Sequence, residues 1–251
     1  MRPSVPETGG RALSFELAVQ DVRGLVVAAD VRPDRMELCT ALSTGGVTPS
    51  SGLIEAAVAT GVPVHVLVRP REGGFEYDEQ EKALIVADSA RAVALGAAGV
   101  VVGGLADGAI DVTLTTRVSE AVGHAEVTFH RAFDQLADQG AGVDLLADLG
   151  VTRVLTSGGA ASALEGIGTL RRLAGRARGR VQIMAGAGVT SANAGELAET
   201  GVDAVHASAK KAVVERLAVG LGSAASAGEA VFHTADADEA RAIKAVLRGE
   251  R

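Results

Sequence analysis

The sequence predicts an α/β fold: a single (β/α)8 TIM barrel over residues 11–251, preceded by a disordered tail over 1–10. Three observations predict it. Short Val-rich apolar runs recur along the chain and end in polar residues, as in VTFHRAFD at 127–134, PVHVLVRPR at 63–71, RVLTSGG at 153–159, VQIMAGAGV at 181–189 and AVHASAK at 204–210. Glycines stand near the starts of these runs, at Gly61, Gly96, Gly123, Gly150, Gly179 and Gly201. Gly is favoured there because the left-handed residue that closes a helix carries no Cβ penalty. The interval of roughly 20–35 residues is that of one βα unit in an alternating fold. A doubly wound sheet is the alternative arrangement of the same units.

Each element follows in order. Strands are expected at about 13–19, 35–39, 63–69, 99–103, 126–131, 153–157, 181–185 and 203–208, where β-branched residues cluster between turn signals. The first helix presents Val22, Leu25, Val26 and Ala29 at helical spacing. The third repeats the theme with Leu84, Val86, Ala87, Ala90, Val93 and Ala94, and the sixth with Leu164, Ile167, Leu170, Leu173 and Ala174. The last is expected near 236–247, capped by Asp236 or Thr234. The Gly/Ala/Ser-rich stretch 218–230 is expected to be a mobile loop.

Composition excludes several classes. The formal charge of −7 argues against a nucleic-acid partner, since phosphate binding needs a basic surface. Five Phe, one Tyr and no Trp leave little for base stacking. The single cysteine, Cys39, excludes an intrachain disulfide and fits a reducing, cytoplasmic compartment. No run approaches the ~18 apolar residues of a membrane span, so no membrane partner is expected.

Alternation along the strands assigns faces. Large apolar residues must meet the helices, which sends Met36, Leu38, Val64, Val66, Val68, Val127, Phe129, Ile183 and Val205 outward. The interior then receives Glu16, Glu37, Cys39, His65, Arg69, Thr128, His130, Gln182, Met184, His206 and Ser208. Barrel centres usually hold bulky aliphatics, and buried charge must be paired. Glu37 or Glu16 with Arg69 are the pairs the sequence suggests.

The stretches RMELCTALSTGGVTPSSGL, PVHVLVRPREGGFEY, VTFHRAFDQ, RVLTSGGAASALEGI, IMAGAGVTSANAGEL and VHASAK, in order over about 35–211, resemble the CutC copper-homeostasis family. The resemblance implies a single (β/α)8 barrel, a cytoplasmic location, a homodimer and a link to copper handling, with copper as the bound ion. Some relatives carry a Cys near the end of strand 1, where this chain has Ala18. Copper(I) prefers thiolates and thioethers. Cys39 is therefore the metal candidate, with Met184 or histidines of other strands as its partners.

The strand ends also suggest chemistry on a small molecule. Glu37 and His130 are the acid–base candidates, with Arg69 beside them, because burial raises a carboxyl pKa and an imidazole already titrates near neutrality. The loops TSGG at 156–159 and GAGV at 186–189 offer backbone N–H groups to an anion. Ser157, Gly158, Gly186, Gly188, His206 and Ser208 are thus ligand-binding candidates, with Arg71 and Arg131 adding charge. Asp134 is expected to orient Arg131 or His130, or to cap the following helix. Lys210 is an anion contact or a Schiff-base amine. The segment GGFEYDEQE at 73–81 is either a lid or the acidic first turn of the third helix. The expected function is copper homeostasis with copper binding, or a metal-independent barrel enzyme using Glu37 and His130 on a small anionic or carbonyl substrate.

Overall fold

The computed structural model of the protein describes residues 13–218 and 229–250. The tail expected at 1–10 and most of the loop expected at 218–230 lie outside them.

Eight βα units follow one another. β1 (Ser14–Val19) leads to α1 (Val22–Val31), β2 (Arg35–Leu38) to α2 (Ser51–Val58), and β3 (Val64–Leu67) to α3 (Glu79–Ala94). β4 (Gly99–Val102) is followed by a small ribbon of β5 (Leu105–Ala106) and β6 (Ala109–Ile110), then α4 (Val112–Val122). β7 (Glu126–Phe129) leads to α5 (Gln139–Asp148), β8 (Arg153–Thr156) to α6 (Ile167–Ala177), and β9 (Gln182–Ala185) to α7 (Ala194–Ala198). β10 (Ala204–Ala207) is separated from α8 (Ala237–Arg248) by β11 (Lys210–Glu215) and β12 (Ala230–Ala235). The strands close in the order β1-β10-β9-β8-β7-β4-β3-β2, all parallel. This is the (β/α)8 barrel, not the doubly wound sheet.

Local chemistry starts the helices. Asp21, Ser50, Asp78, Asp111, Asp138 and Asp236 each accept from a first-turn amide, which satisfies one of the donors a helix start leaves open. Asp236, not Thr234, caps α8; the Thr234 hydroxyl donates instead to Asp21. The expected outward residues, among them Met36, Leu38, Val66, Phe129, Ile183 and Val205, are buried between barrel and helices.

Two helical faces are turned from their expected phase. In α1 the buried residues are Gly24, Leu25, Ala28 and Val31, while Val22 and Val26 are exposed. That helix is apolar on nearly all sides, so spacing does not single out one face. Close approach does: a Cβ at Gly24 would lie 2.8 Å from Val19 Cγ1. In α3 the buried residues are Ile85, Ser89 and Ala92, with Leu84 exposed. α6 begins at Ile167, so Leu164 precedes it.

The antiparallel pair β11–β12 was not expected. Its register runs from Lys210 opposite Ala235 to Glu215 opposite Ala230. It stands outside the barrel with most residues part-exposed, so no strong alternation marks it. Its consequence is functional, because it holds Lys210 extended at the barrel mouth. No helix among the described residues is long and apolar enough to cross a membrane.

Candidate functional site

A cavity of about 800 Å³ opens among the C-terminal strand ends, where this fold collects its chemistry. Its floor is built by register. Pairing of β1 with β2 and β10 puts Glu16 beside both Arg35 and His206. Arg35 Nε donates to Glu16 Oε2 at 2.6 Å, and His206 Nδ1 lies 2.8 Å from Glu16 Oε1. On its other side, His206 Nε2 faces Glu37 Oε2 at 3.7 Å. Burial alone would raise the Glu16 pKa, but the His206 hydrogen bond and the Arg35 charge hold it far below the carboxyl range. Burial opposes charge on His206 as well, yet the Glu37 and Glu16 carboxylates win and raise its pKa. His206 is therefore held between two carboxyl groups that favour its charged form.

Glu37 is only 5 % exposed, lines the cavity and makes no hydrogen bond through its side chain among the described residues. Burial pushes its pKa up to about 7, with His206 opposing and Glu16 adding to the rise. The pairs suggested between Arg69 and either glutamate do not form. Arg69 stands past the end of β3, so its guanidinium reaches loop carbonyls: Thr44 at 3.1 Å, Gly46 at 3.0 Å and Gly73 at 2.6 Å. It braces the mouth, with its charge 5.1 Å from the centre of the Phe75 ring.

His130 reaches the cavity from the end of β7. Gly103 makes room for it, since a Cβ there would lie 2.5 Å from His130 Nδ1. That Nδ1 accepts from the Ala132 amide at 3.1 Å, which leaves the ring proton on Nε2. Nε2 is buried and without a partner among the described residues. Burial, then the nearby Arg69 charge, lowers the pKa to about 3. His130 is thus a neutral N–H donor. Burial therefore favours the neutral ring over the proton-accepting role expected for His130. Phe75 covers it, with ring centroids 4.9 Å apart. The acidic part of the 73–81 segment is the first turn of α3, as one of the two expectations had it. Phe75 lines the cavity, and Asp78 with Glu81 forms the capping box of α3.

The TSGG loop is filled by the protein's own carboxylate. Asp134 accepts from Arg131 Nε at 2.7 Å, Thr156 Oγ1 at 2.5 Å, the Ser157 amide at 3.2 Å and the Gly159 amide at 3.1 Å. Its carboxylate caps no helix; it ties β7 to the loop after β8 and orients Arg131. Ser157 is fully buried, and its hydroxyl accepts from Arg131 Nη2 at 2.9 Å while lying 2.7 Å from the Ala160 carbonyl. Ser157 and Gly158 are thereby corrected as anion contacts; Gly158 lies on a separate surface hollow. Gly186 is a packing residue, because a Cβ would sit 2.5 Å from Leu155 Cδ1, and its amide is bound to Thr156. Arg71 lies outside the cavity, bound to Glu81 at 2.5 Å.

Gly188, His206, Ser208 and Arg131 do line the cavity, together with Lys210. Ala187 and Ala209 adopt positive φ of 88° and 39°, values that non-glycine residues adopt only under strain. Their carbonyls are tied back, Ala187 to the Ala163 amide and Ala209 to the Asp236 amide.

The donors do not fit copper(I). Cys39 is fully buried against Leu67, Val101 and Leu42, and burial followed by the Glu37 charge pushes its thiol far up, away from thiolate. Met184 Sδ accepts from Arg35 Nη2 at 3.1 Å. The one group of His, Cys, Asp and Glu side chains that could converge on a metal among the described residues is Glu16, Glu37 and His206, a set without sulfur. Soft copper(I) is poorly served by two carboxylates and an imidazole, and Glu16 is already neutralised by Arg35.

Below the floor lies a second polar layer. Arg153 is fully buried and donates to Gln182 Oε1 at 2.9 Å, Thr128 Oγ1 at 3.1 Å and Glu126 Oε2 at 2.9 Å. His65 Nε2 lies 3.5 Å from the same Glu126 oxygen. Arg35 and Arg153, the cations that neutralise the interior, were missing from the interior read off the sequence. Parity with Glu37 would have placed Arg35 inward.

Residues 13–211 match the CutC family. The chain is 38% identical over 240 residues to a family protein CutC of Glaesserella parasuis, covering 94% of this chain and 98% of that protein. It is 35% identical to the human copper homeostasis protein cutC homolog, over 98% of this chain and 93% of that one. A crystal structure of a CutC copper homeostasis protein from Streptococcus agalactiae superposes with a TM-score of 0.74 at 32% identity, covering 78% of this chain and 98% of the other.

Proposed function

The chain belongs to the CutC family, and from that premise we propose that it is a barrel enzyme moving a proton on a small anionic or carbonyl substrate. One observation carries the reading: Glu37, an unbonded carboxyl in the cavity wall, has its pKa raised to about 7. A group titrating near the working pH can both take and return a proton. His206, 3.7 Å from it, stabilises the carboxylate when the proton has left. His130 Nε2 donates to the oxygen on which negative charge develops, a role that a neutral imidazole performs without surrendering its proton. Arg131, oriented by Asp134, adds positive charge at the rim.

Copper homeostasis is the role in the human relative's name. In this chain that role would be exercised through the cavity's chemistry, since Cys39 and Met184 do not form a soft site.

Proton transfer is testable before the substrate is known. The full-length protein is incubated in D2O with a panel of small keto and aldehyde carboxylates and phosphates. NMR then reads deuterium entering the carbon next to the carbonyl. Exchange by the native protein and a loss of at least about 100-fold in Glu37→Gln is the expected result. No exchange with any member, or equal exchange by Glu37→Gln, overturns it.

A further inference from the structure

The cavity has two chemically different ends. At the floor stand Glu37, His206 and His130. At the rim, the loop after β9 and the start of β11 face the same space through Gly188, Val189, Ser208 and Lys210. The amides of Ala187, Gly188 and Val189 donate to nothing among the described residues, and neither does the Ser208 hydroxyl. The Lys210 ammonium is exposed and makes no ion pair among the described residues. The one carboxylate at this rim among the described residues, Glu239, is already bound by the Ser191 amide at 2.7 Å and the Ser191 hydroxyl at 2.9 Å. It is thereby turned toward its own donors.

We propose that this rim is a phosphate subsite and that the substrate is a phosphomonoester of a small carbonyl compound, its phosphate on the Gly188–Val189 amides, Ser208 and Lys210. Open backbone amides, a hydroxyl and a cation together offer what a phosphate's oxygens accept. Loops after the seventh and eighth strands are where a barrel can hold phosphate while its other end reaches the floor. The TSGG loop, the other Gly-rich candidate, is excluded because Asp134 occupies its amides. The unpartnered His130 Nε2, 94 % buried with its ring in the cavity wall, has a donor ready for the carbonyl end. The β11–β12 pair explains how Lys210 is positioned, since Lys210 is held in register with Ala235.

This inference rests on the proton-transfer reading for the carbonyl end but not for the phosphate end, and the experiment separates them. The 13C,15N-labelled full chain is titrated with inorganic phosphate, with chloride at matched ionic strength as the control. Saturable amide shifts at Gly188, Val189 and Ser208 are expected, with affinity weakened about tenfold in Lys210→Ala, the loss of one charge-assisted contact. The exposed Lys210 can be replaced without disturbing the core. No saturable shift, shifts confined to other surfaces, or unchanged affinity in Lys210→Ala overturns the subsite. In the same samples the Glu37 side-chain carboxyl carbon is followed against pH. Phosphate shifts with Glu37 titrating near 4.5 would sink the acid–base reading and keep the subsite; titration near 7 without phosphate shifts would do the reverse.

Discussion

Replacing Glu37 by Gln should stabilise the protein strongly at high pH and only slightly at pH 5. The carboxyl titrates at 4.5 in an unfolded chain and at about 7 when folded. A folded pKa above the unfolded one means that the native state binds the proton more tightly. Stability from Glu37 is then fully present below pH 4.5, declines as pH rises, and is lost above pH 7. At about 1.4 kcal/mol per pH unit, the decline amounts to about 3 kcal/mol. Glu37 is 5 % exposed, so little solvent screening reduces it. Gln keeps the shape and never ionises. Its advantage should therefore be under about 1 kcal/mol at pH 5 and about 3 kcal/mol at pH 8.5, the latter roughly 6–12 °C in Tm for a chain of this size. Thermal and urea unfolding of both proteins at several pH values measures it. Parallel curves, with the same difference at pH 5 and 8.5, would refute the assignment of a desolvated, hydrogen-bond-free carboxyl. The gain in stability should accompany the loss of proton exchange, the trade expected of a strained active site.

Three other outcomes follow from the same geometry. Asp134→Ala removes the acceptor shared by Arg131, Thr156, Ser157 and Gly159 and should cost about 3 kcal/mol or more in urea unfolding; a change under about 1 kcal/mol would show that water replaces it easily. The His206 ring should titrate above 6.5 by NMR, and Glu16→Gln should bring that value down, because the Glu16 carboxylate is one of two that hold the proton there; an unmoved titration would remove the coupling. Cys39→Ser should leave copper(I) affinity, measured against a competing chelator, unchanged; weakening of tenfold or more would restore the thiol as a ligand despite its burial.

Most of the interior was legible because strand parity has a period of two. Glu16, Glu37, His65, Thr128, His130 and Gln182 all point where alternation sends them, and all belong to the inner polar layers. The partners were not legible. Arg69 was matched to the glutamates because it shares their parity, yet it sits beyond the strand end and turns to loop carbonyls. Arg35 is the true partner because β1 and β2 pair with Glu16 opposite Arg35. The TSGG loop looked like an anion cradle and is one, but its anion is Asp134, 22 residues before the loop's first donor, Thr156. Nothing in the spacing distinguishes a loop that awaits a ligand from one that is already filled.

By itself the sequence determined the barrel, its eight strands, the faces of six of them and the family, because period, capping and turn chemistry are local properties of the chain. Only the tertiary structure decided the chemistry. Whether His130 is a base or a neutral donor, and whether Glu37 ionises near neutrality, depends on desolvation and on charges brought beside them by strand register. Those quantities do not exist until the barrel closes.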